Sequence, residues 1–180
     1  MKKIILTVFA ATSLLLYSTP SFAISLSVGV PIGATIENDA GTEADGASGY
    51  FLGVQLPFGL GLGMDSHKTK FKDDSTLKVA TSMYNLYYQL PVPVVSLILG
   101  LGTGNSNFDC PDEGGGTCAE NFDKGAATQW YTSIGFPIIP FFDIHLSYRS
   151  ITSKNIKYKG DGSKYDVSGT VTGIGLAFNF

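Results

Sequence analysis

The sequence predicts an all-β protein: eight antiparallel strands in up-and-down order, closed into a transmembrane β-barrel. Three observations carry this expectation. Large apolar residues recur at every second position in eight separate segments. Very short connections alternate with long polar ones. And the chain is poor in charge: only 15% of its 180 residues are Asp, Glu, Lys or Arg, where a soluble domain carries about a quarter. The 22 glycines, 12 phenylalanines and 9 tyrosines suit strands that face an apolar solvent. The length suffices for one domain.

The first 23 residues read as a targeting segment. Lys2 and Lys3 open it, Ile4 to Tyr17 is mostly apolar, and Ser21-Phe22-Ala23 fits a small-x-small cleavage site. The expected mature domain is therefore 24–180, from Ile24 to Phe180. Without Lys2 and Lys3 it holds 10 basic and 15 acidic side chains, a net charge of −5, which does not suit a nucleic-acid binder. No later segment is apolar for long enough to form a membrane-spanning helix.

Each strand segment has one large apolar face. Ile24, Leu26, Val28, Val30 and Ile32 form the first, and Tyr50, Leu52, Val54 and Leu56 the second. Leu60, Leu62 and Met64 follow, then Tyr84, Leu86, Tyr88 and Leu90, where Val79 and Met83 fall on the polar side. The fifth to seventh are Val95 to Leu101, Trp130 to Ile138 and Phe142 to Tyr148; Ile174, Leu176, Phe178 and Phe180 close the series. The opposite faces are small or polar. Alternation marks a two-faced strand, yet it fits a soluble sandwich as well as a membrane barrel.

The connections favour the barrel. Pro57-Phe58-Gly59, Pro91-Val92-Pro93 and Ile139-Pro140 are tight turns. The intervening connections are longer, roughly residues 36–48, 70–75, 103–127 and 152–163. Short turns alternating with long loops characterise bacterial outer-membrane barrels, and an even strand number puts both termini on the periplasmic side. Aromatics near segment ends (Tyr50, Tyr84, Trp130, Tyr148, Phe180) are placed for interfacial girdles.

The last residues, Gly175-Leu-Ala-Phe178-Asn-Phe180, resemble the C-terminal signal by which outer-membrane barrels are recognised for assembly. Gly173 stands where that pattern has a polar residue. With the leader and the eight segments, the chain resembles the small outer-membrane barrel superfamily that includes OmpX, the OmpA membrane domain, OmpW and the opacity proteins. The resemblance implies a cell outer-membrane location and delivery by the barrel assembly machinery through Gly175, Phe178 and Phe180. It also implies contact with outer-membrane lipid and lipopolysaccharide.

Parity directs Asp65, His67, Asp143, His145 and Arg149 into the lumen. Buried charge is costly unless paired, so a salt-bridged plug is the expectation, with a proton or solute path and a metal site as lesser alternatives. His145-Leu-Ser147 invites comparison with lipid A deacylases. No glutamate follows Glu120 and the pair points inward, so no enzyme and no cofactor is expected. An eight-stranded interior is just wide enough for side chains to fill, with glycines making room for Phe51, Tyr87 and Tyr131.

The loops divide by charge. Glu37, Asp39, Glu43 and Asp45 mark the first, and Asp109, Asp112, Glu113, Glu120 and Asp123 the third. Lys68, Lys70 and Lys72 mark the second, and Lys154, Lys157 and Lys159 the fourth. These lysines are either solvated surface or binders of lipopolysaccharide phosphate. Cys110 and Cys118, the only cysteines, are expected to pair in an exported protein and to clip the third loop. The expected role is surface interaction, as adhesion to a host or matrix ligand, or envelope integrity. A narrow channel for small or hydrophobic solutes is the alternative, and a lipid A-modifying enzyme a third.

Overall fold

A computed structural model describes residues 24–37, 44–72, 77–90, 92, 94–110 and 118–180. The leader expected at 1–23 lies outside these residues, as do Asp39, Glu43, Asp112, Glu113 and the side chain of Cys118. The strands are β1 (Ser25–Glu37), β2 (Ala44–Gln55), β3 (Leu60–Phe71), β4 (Lys78–Leu90), β5 (Ser96–Asp109), β6 (Phe122–Asp123), β7 (Gly125–Ile139), β8 (Phe142–Tyr158) and β9 (Lys164–Asn179). A short helix, α1 (Cys118–Asn121), precedes β6.

Eight of these strands close a barrel. Neighbours pair antiparallel in the order β1-β2-β3-β4-β5-β7-β8-β9. β1 returns to β9 from Ser25↔Asn179 to Glu37↔Ser168, which closes the ring, while its ladder to β2 runs from Ser25↔Gln55 to Gly29↔Phe51. Closure matters in lipid, where each backbone donor and acceptor must find its partner within the protein. Each of the eight alternating segments of the sequence lies on one of these strands. β6 is the exception: a two-residue ribbon of the third loop laid against the tip of β8, Phe122↔Tyr158 and Asp123↔Lys157.

The strands run further toward the loops than the alternation suggests. Lys68 and Lys70 lie on β3, Asp109 on β5, and Lys154 and Lys157 on β8, rather than in the connections. Their outward side chains are polar, so the apolar alternation fades before the strand does.

That extension changes the interior. Midway along the barrel the two faces exchange character. On β3 the outward series is Leu60, Leu62, Met64, then Ser66, Lys68, Lys70, while the inward series ends on Thr69 and Phe71. On β4 the outward Tyr88, Leu86 and Tyr84 give way to Ser82, Ala80 and Lys78, with Met83 and Val79 buried inside. The two residues that broke the pattern of the fourth segment are thus interior side chains of the loop half. There Ile36, Phe71, Val79, Phe108, Ile156 and Val167 form an apolar core, joined by Leu77, Ala44 and Phe122. A polar interior along the whole barrel is therefore not what the chain builds. The turn half is a membrane barrel, apolar outside; the loop half is packed like a water-soluble one.

A bulge in β8 makes this core possible. The β8–β9 register shifts between Ser153 and Ile156. Asn155 adopts φ 59°, and its backbone N–H donates to Asp166 Oδ1 at 2.8 Å. The extra residue turns Ile156 inward, where it is fully buried, as a bulge re-aims the side chains beyond it.

Candidate functional site

Two regions hold the polar side chains that could act: the lumen of the turn half and the rim of the loop end. All five lumen residues singled out by parity (Asp65, His67, Asp143, His145, Arg149) are buried. They do not form one cluster.

The upper cluster centres on Asp65 of β3. Its Oδ2 accepts from Arg149 Nε at 2.9 Å and from Gln129 Nε2 at 2.7 Å. Gln129 Nε2 also donates to Asn85 Oδ1 at 2.5 Å. Arg149 Nη1 donates to Ser147 Oγ, which donates on to the Gly173 carbonyl at 3.3 Å. The guanidinium lies 3.5 Å above the Phe51 ring and 5.0 Å from that of Tyr131, an arrangement attractive to a cation. Asp65 and Arg149 are thus brought together and their charges matched, which a buried pair requires.

The lower cluster sits nearer the turns. Ser96 Oγ donates to Asp143 Oδ2 at 3.0 Å, and Gln89 Nε2 to Ser96 Oγ at 3.3 Å. Ser133 Oγ lies 3.3 Å from His145 Nδ1. His145 Nε2 is 3.9 Å from Asp143 Oδ2, beyond hydrogen-bond reach. His67 belongs to neither cluster. It packs edge-on against Phe51 at 6.1 Å, and among the described residues its Nδ1 meets no hydrogen-bonding partner. Nor do three His, Cys, Asp or Glu side chains converge anywhere among the described residues as a metal would need.

Glycines opposite the large side chains give the lumen its shape. Gly61 faces Tyr87, Gly100 faces Tyr131 and Gly135 faces His145 across paired strands. A Cβ at any of the three would collide with the facing ring. Tyr87 and Tyr131 meet edge-to-face at 6.3 Å, and Tyr131 is the register partner of Arg149. Two of the cavities among the lumen side chains are small. One cavity of about 60 Å³ lies among Tyr87, Tyr131, Ser133, His145 and Arg149. Another of about 30 Å³ lies among His67, Thr81, Ser106 and Ile151. Each has room for a few waters at most. Gln129, Asn85 and Ser96 complete both networks, and parity alone does not single them out. The strand register brings two of them together, because it sets Asn85 of β4 and Gln129 of β7 on either side of the same residue, Gly102 of β5.

At the loop end, Lys68 Nζ pairs with Asp109 Oδ2 at 2.6 Å across β4. Lys159 Nζ donates to the Glu120 carbonyl at 2.8 Å and lies 3.8 Å from Asp123. Lys159 N–H donates to the Asn121 carbonyl. The third loop is thereby fastened onto the β8–β9 hairpin, and Phe122 stacks between Phe108 and Tyr158 at 5.0 and 5.1 Å. In the hairpin tip the Ser163 N–H donates to Asp161 Oδ1 at 2.8 Å and holds that exposed carboxyl below the usual carboxylate range.

A closed antiparallel barrel with an outward apolar belt, a paired polar lumen and extended loops is a specific geometry. This is the fold of the small eight-stranded outer-membrane barrels. Neisserial surface protein A superposes with a TM-score of 0.67 at 12% identity, over 88% of this chain and 96% of that one. The outer membrane protein AlkL gives 0.54 at 11%, covering 88% and 90%. Ail, the attachment invasion locus protein of Yersinia pestis, gives 0.52 at 17%, covering 88% and 98%. No protein-family model matches the chain, and no curated protein matches it in sequence. The outer-membrane barrel fold is therefore shared.

Proposed function

We propose that this outer-membrane barrel works at its loop end, by contact with lipopolysaccharide of the outer leaflet or with a host or matrix ligand, and that its lumen is a structural core. The observation that carries this reading is the filling of the interior. Three sets of contacts fill it: the Asp65–Arg149 pair, the Tyr87–Tyr131 pair in touch with it, and the apolar core around Phe108 in the loop half. The two small cavities share no lining residue. A narrow channel would need all three sets to part.

In this reading the chain is exported by its leader, cleaved after Ala23, and assembled through Gly175, Phe178 and Phe180. Cys110 and Cys118 bridge to brace the third loop, and the outward lysines meet phosphate at the level where the barrel leaves the hydrocarbon. The reading is non-enzymatic. Ser133, His145 and Asp143 superficially resemble a hydrolytic triad, but the cavity that Ser133 and His145 line is too small for a lipid substrate, and at 3.9 Å His145 lacks the hydrogen bond to Asp143 that orients such a base.

Single-channel recording from the folded barrel in a planar bilayer tests the proposal. A silent barrel that still binds lipopolysaccharide vesicles supports it. Discrete conductance that changes with Arg149→Ala or Asp143→Ala would transfer the function to the lumen.

A further inference from the structure

The three turns at the end opposite the loops share one construction. Each places a bulky apolar residue directly after a proline and gives it positive φ: Phe58 after Pro57 at 77°, Val94 after Pro93 at 78°, and Phe141 after Pro140 at 88°. Glycine and asparagine adopt that conformation with least strain. Here it is occupied by two phenylalanines and a β-branched valine, and their side chains face outward, 64%, 64% and 84% exposed. The surface around them is apolar too, with Leu56, Ile138, Ile139 and Phe180 exposed. No Lys, Arg, Asp or Glu occurs in residues 55–60, 89–96 or 137–142. All nine lysines after Ile24 belong to the loop half.

The height of the outward apolar belt supplies an independent argument. The belt is bounded on the loop side by Tyr84, Trp130 and Tyr148, beyond which the outward residues are Ser82, Thr128 and Ser150. From Tyr84 to Leu90 a strand advances about 20 Å at roughly 3.3 Å per residue. At a tilt of about 45° that is roughly 14 Å of depth, against an apolar band about 25 Å tall in such barrels. The interval from Tyr148 to Phe142 is equally short, and the longer outward runs, Ile24 to Ile32 and Trp130 to Ile138, advance about 26 Å, roughly 19 Å of depth and still less than the band. The strands alone do not fill the band, and the missing depth lies on the turn side, where the exposed residues among those described include Leu56, Phe58, Val92, Val94, Ile139 and Phe141.

We infer that the turn end is itself a lipid-contacting surface: its three turns lie within the phospholipid leaflet, which covers Phe58, Val94 and Phe141, and the barrel does not emerge into water on that side. The polar groups of the turns are few, because proline removes a backbone donor at each one. The bulky residues at positive φ are held there because burial in lipid outweighs the backbone strain. A soluble partner protein is the competing occupant, and it would require the same residues to be wet when the barrel stands alone.

Tryptophan placement separates the two. Trp130 is the only tryptophan, so a Trp130→Phe chain carries a single reporter when Val94→Trp, Phe141→Trp or, as a control at the hairpin tip, Asp161→Trp is added. The full chain is produced with its leader, purified from membranes and placed in phosphatidylcholine vesicles, plain or brominated on the acyl chains. The turn tryptophans are expected to lose emission in brominated vesicles and to resist aqueous acrylamide, with the control doing the reverse. Turn tryptophans quenched by acrylamide as readily as the control, and indifferent to bromine, overturn the proposal. A second pair of variants does not depend on tryptophan fitting the turns. Val94→Asn and Phe141→Asn relieve the backbone strain, so they raise the urea midpoint if the turns are in water. They lower it if the turns are in lipid, where the amide must be desolvated. A raised midpoint sinks the inference.

Discussion

Arg149 on β8 donates Nε to Asp65 Oδ2 on β3 at 2.9 Å, and in the closed strand order these two strands stand diametrically opposite. The pair is therefore a strut across the barrel rather than a contact between neighbours. Gln129 on β7 and Asn85 on β4 extend it to two more staves. One charge left alone here would be buried and unmatched. Breaking a buried pair by removing one member typically costs about 3–5 kcal/mol. Asp65→Asn or Arg149→Met should each lower unfolding stability in lipid by about that much. The double variant Asp65→Leu with Arg149→Met should recover a large part of the loss. Urea unfolding followed by heat-shift on gels checks this, and a double-variant loss equal to the sum of the single losses would mean the charges are not coupled.

The glycines facing the lumen aromatics give a second test. A side chain at Gly100 collides with the Tyr131 ring, and one at Gly61 with that of Tyr87. Overpacking of this kind costs about 1–3 kcal/mol. Gly100→Val is expected to destabilise the barrel by that order and Gly100→Val with Tyr131→Ala to be closer to the parent. A rescue limited to this matched pair, with no rescue by Tyr87→Ala, would establish that the fit is local.

How far the sequence led is clearest from β3. Leu60, Leu62 and Met64 alternate with Gly61, Gly63 and Asp65, and that period of two reveals both the strand and which face Asp65 takes. Six residues on, the same parity delivers Phe71 to the interior and Lys70 to the outside, reversing the chemistry without reversing the geometry. A rule that equates apolar with lipid-facing stops there, which is why the strands read short. Ile156 was hidden for another reason. The two-residue excursion at Lys154 and Asn155 resets parity, and only the partner strand shows where a bulge falls. In the lumen, parity placed five charged or titratable residues but not their partners, since Asp65 and Arg149 are far apart in sequence and the diameter that joins them exists only once β1 meets β9.

The apolar core of the loop half makes a prediction distinct from those of the lumen. Phe108 packs against Phe71, Phe122 and Tyr165 at 6.5, 5.0 and 6.2 Å. Truncating a buried phenylalanine costs about 3–5 kcal/mol, yet this one lies beyond the lipid-facing belt. Phe108→Ala should therefore loosen the third loop and the β8–β9 hairpin while the lipid-facing strands stay protected. Hydrogen exchange reads this directly. Faster exchange confined to residues 105–125 and 154–167 is expected, and uniform loss of protection would tie the two halves into one cooperative unit.

The lysines proposed to meet phosphate should not contribute equally. Lys68 is tied to Asp109 and Lys159 to the third loop, so part of their charge is already answered. Lys70 and Lys154 face outward from β3 and β8, and Lys157 from the tip of β8. Replacing Lys70, Lys154 and Lys157 by Gln should weaken binding to lipopolysaccharide vesicles severalfold. It should also flatten the salt dependence, because exposed charge pairs are screened over about 10 Å at 0.1 M salt. Lys159→Gln should instead release α1 and β6 from the hairpin and act on the loop's exchange rates more than on binding. Binding titrations at two salt concentrations separate the cases. An unchanged salt slope in the triple variant would mean that phosphate is held elsewhere on the rim, and would move the proposed contact from the lysines to the third loop.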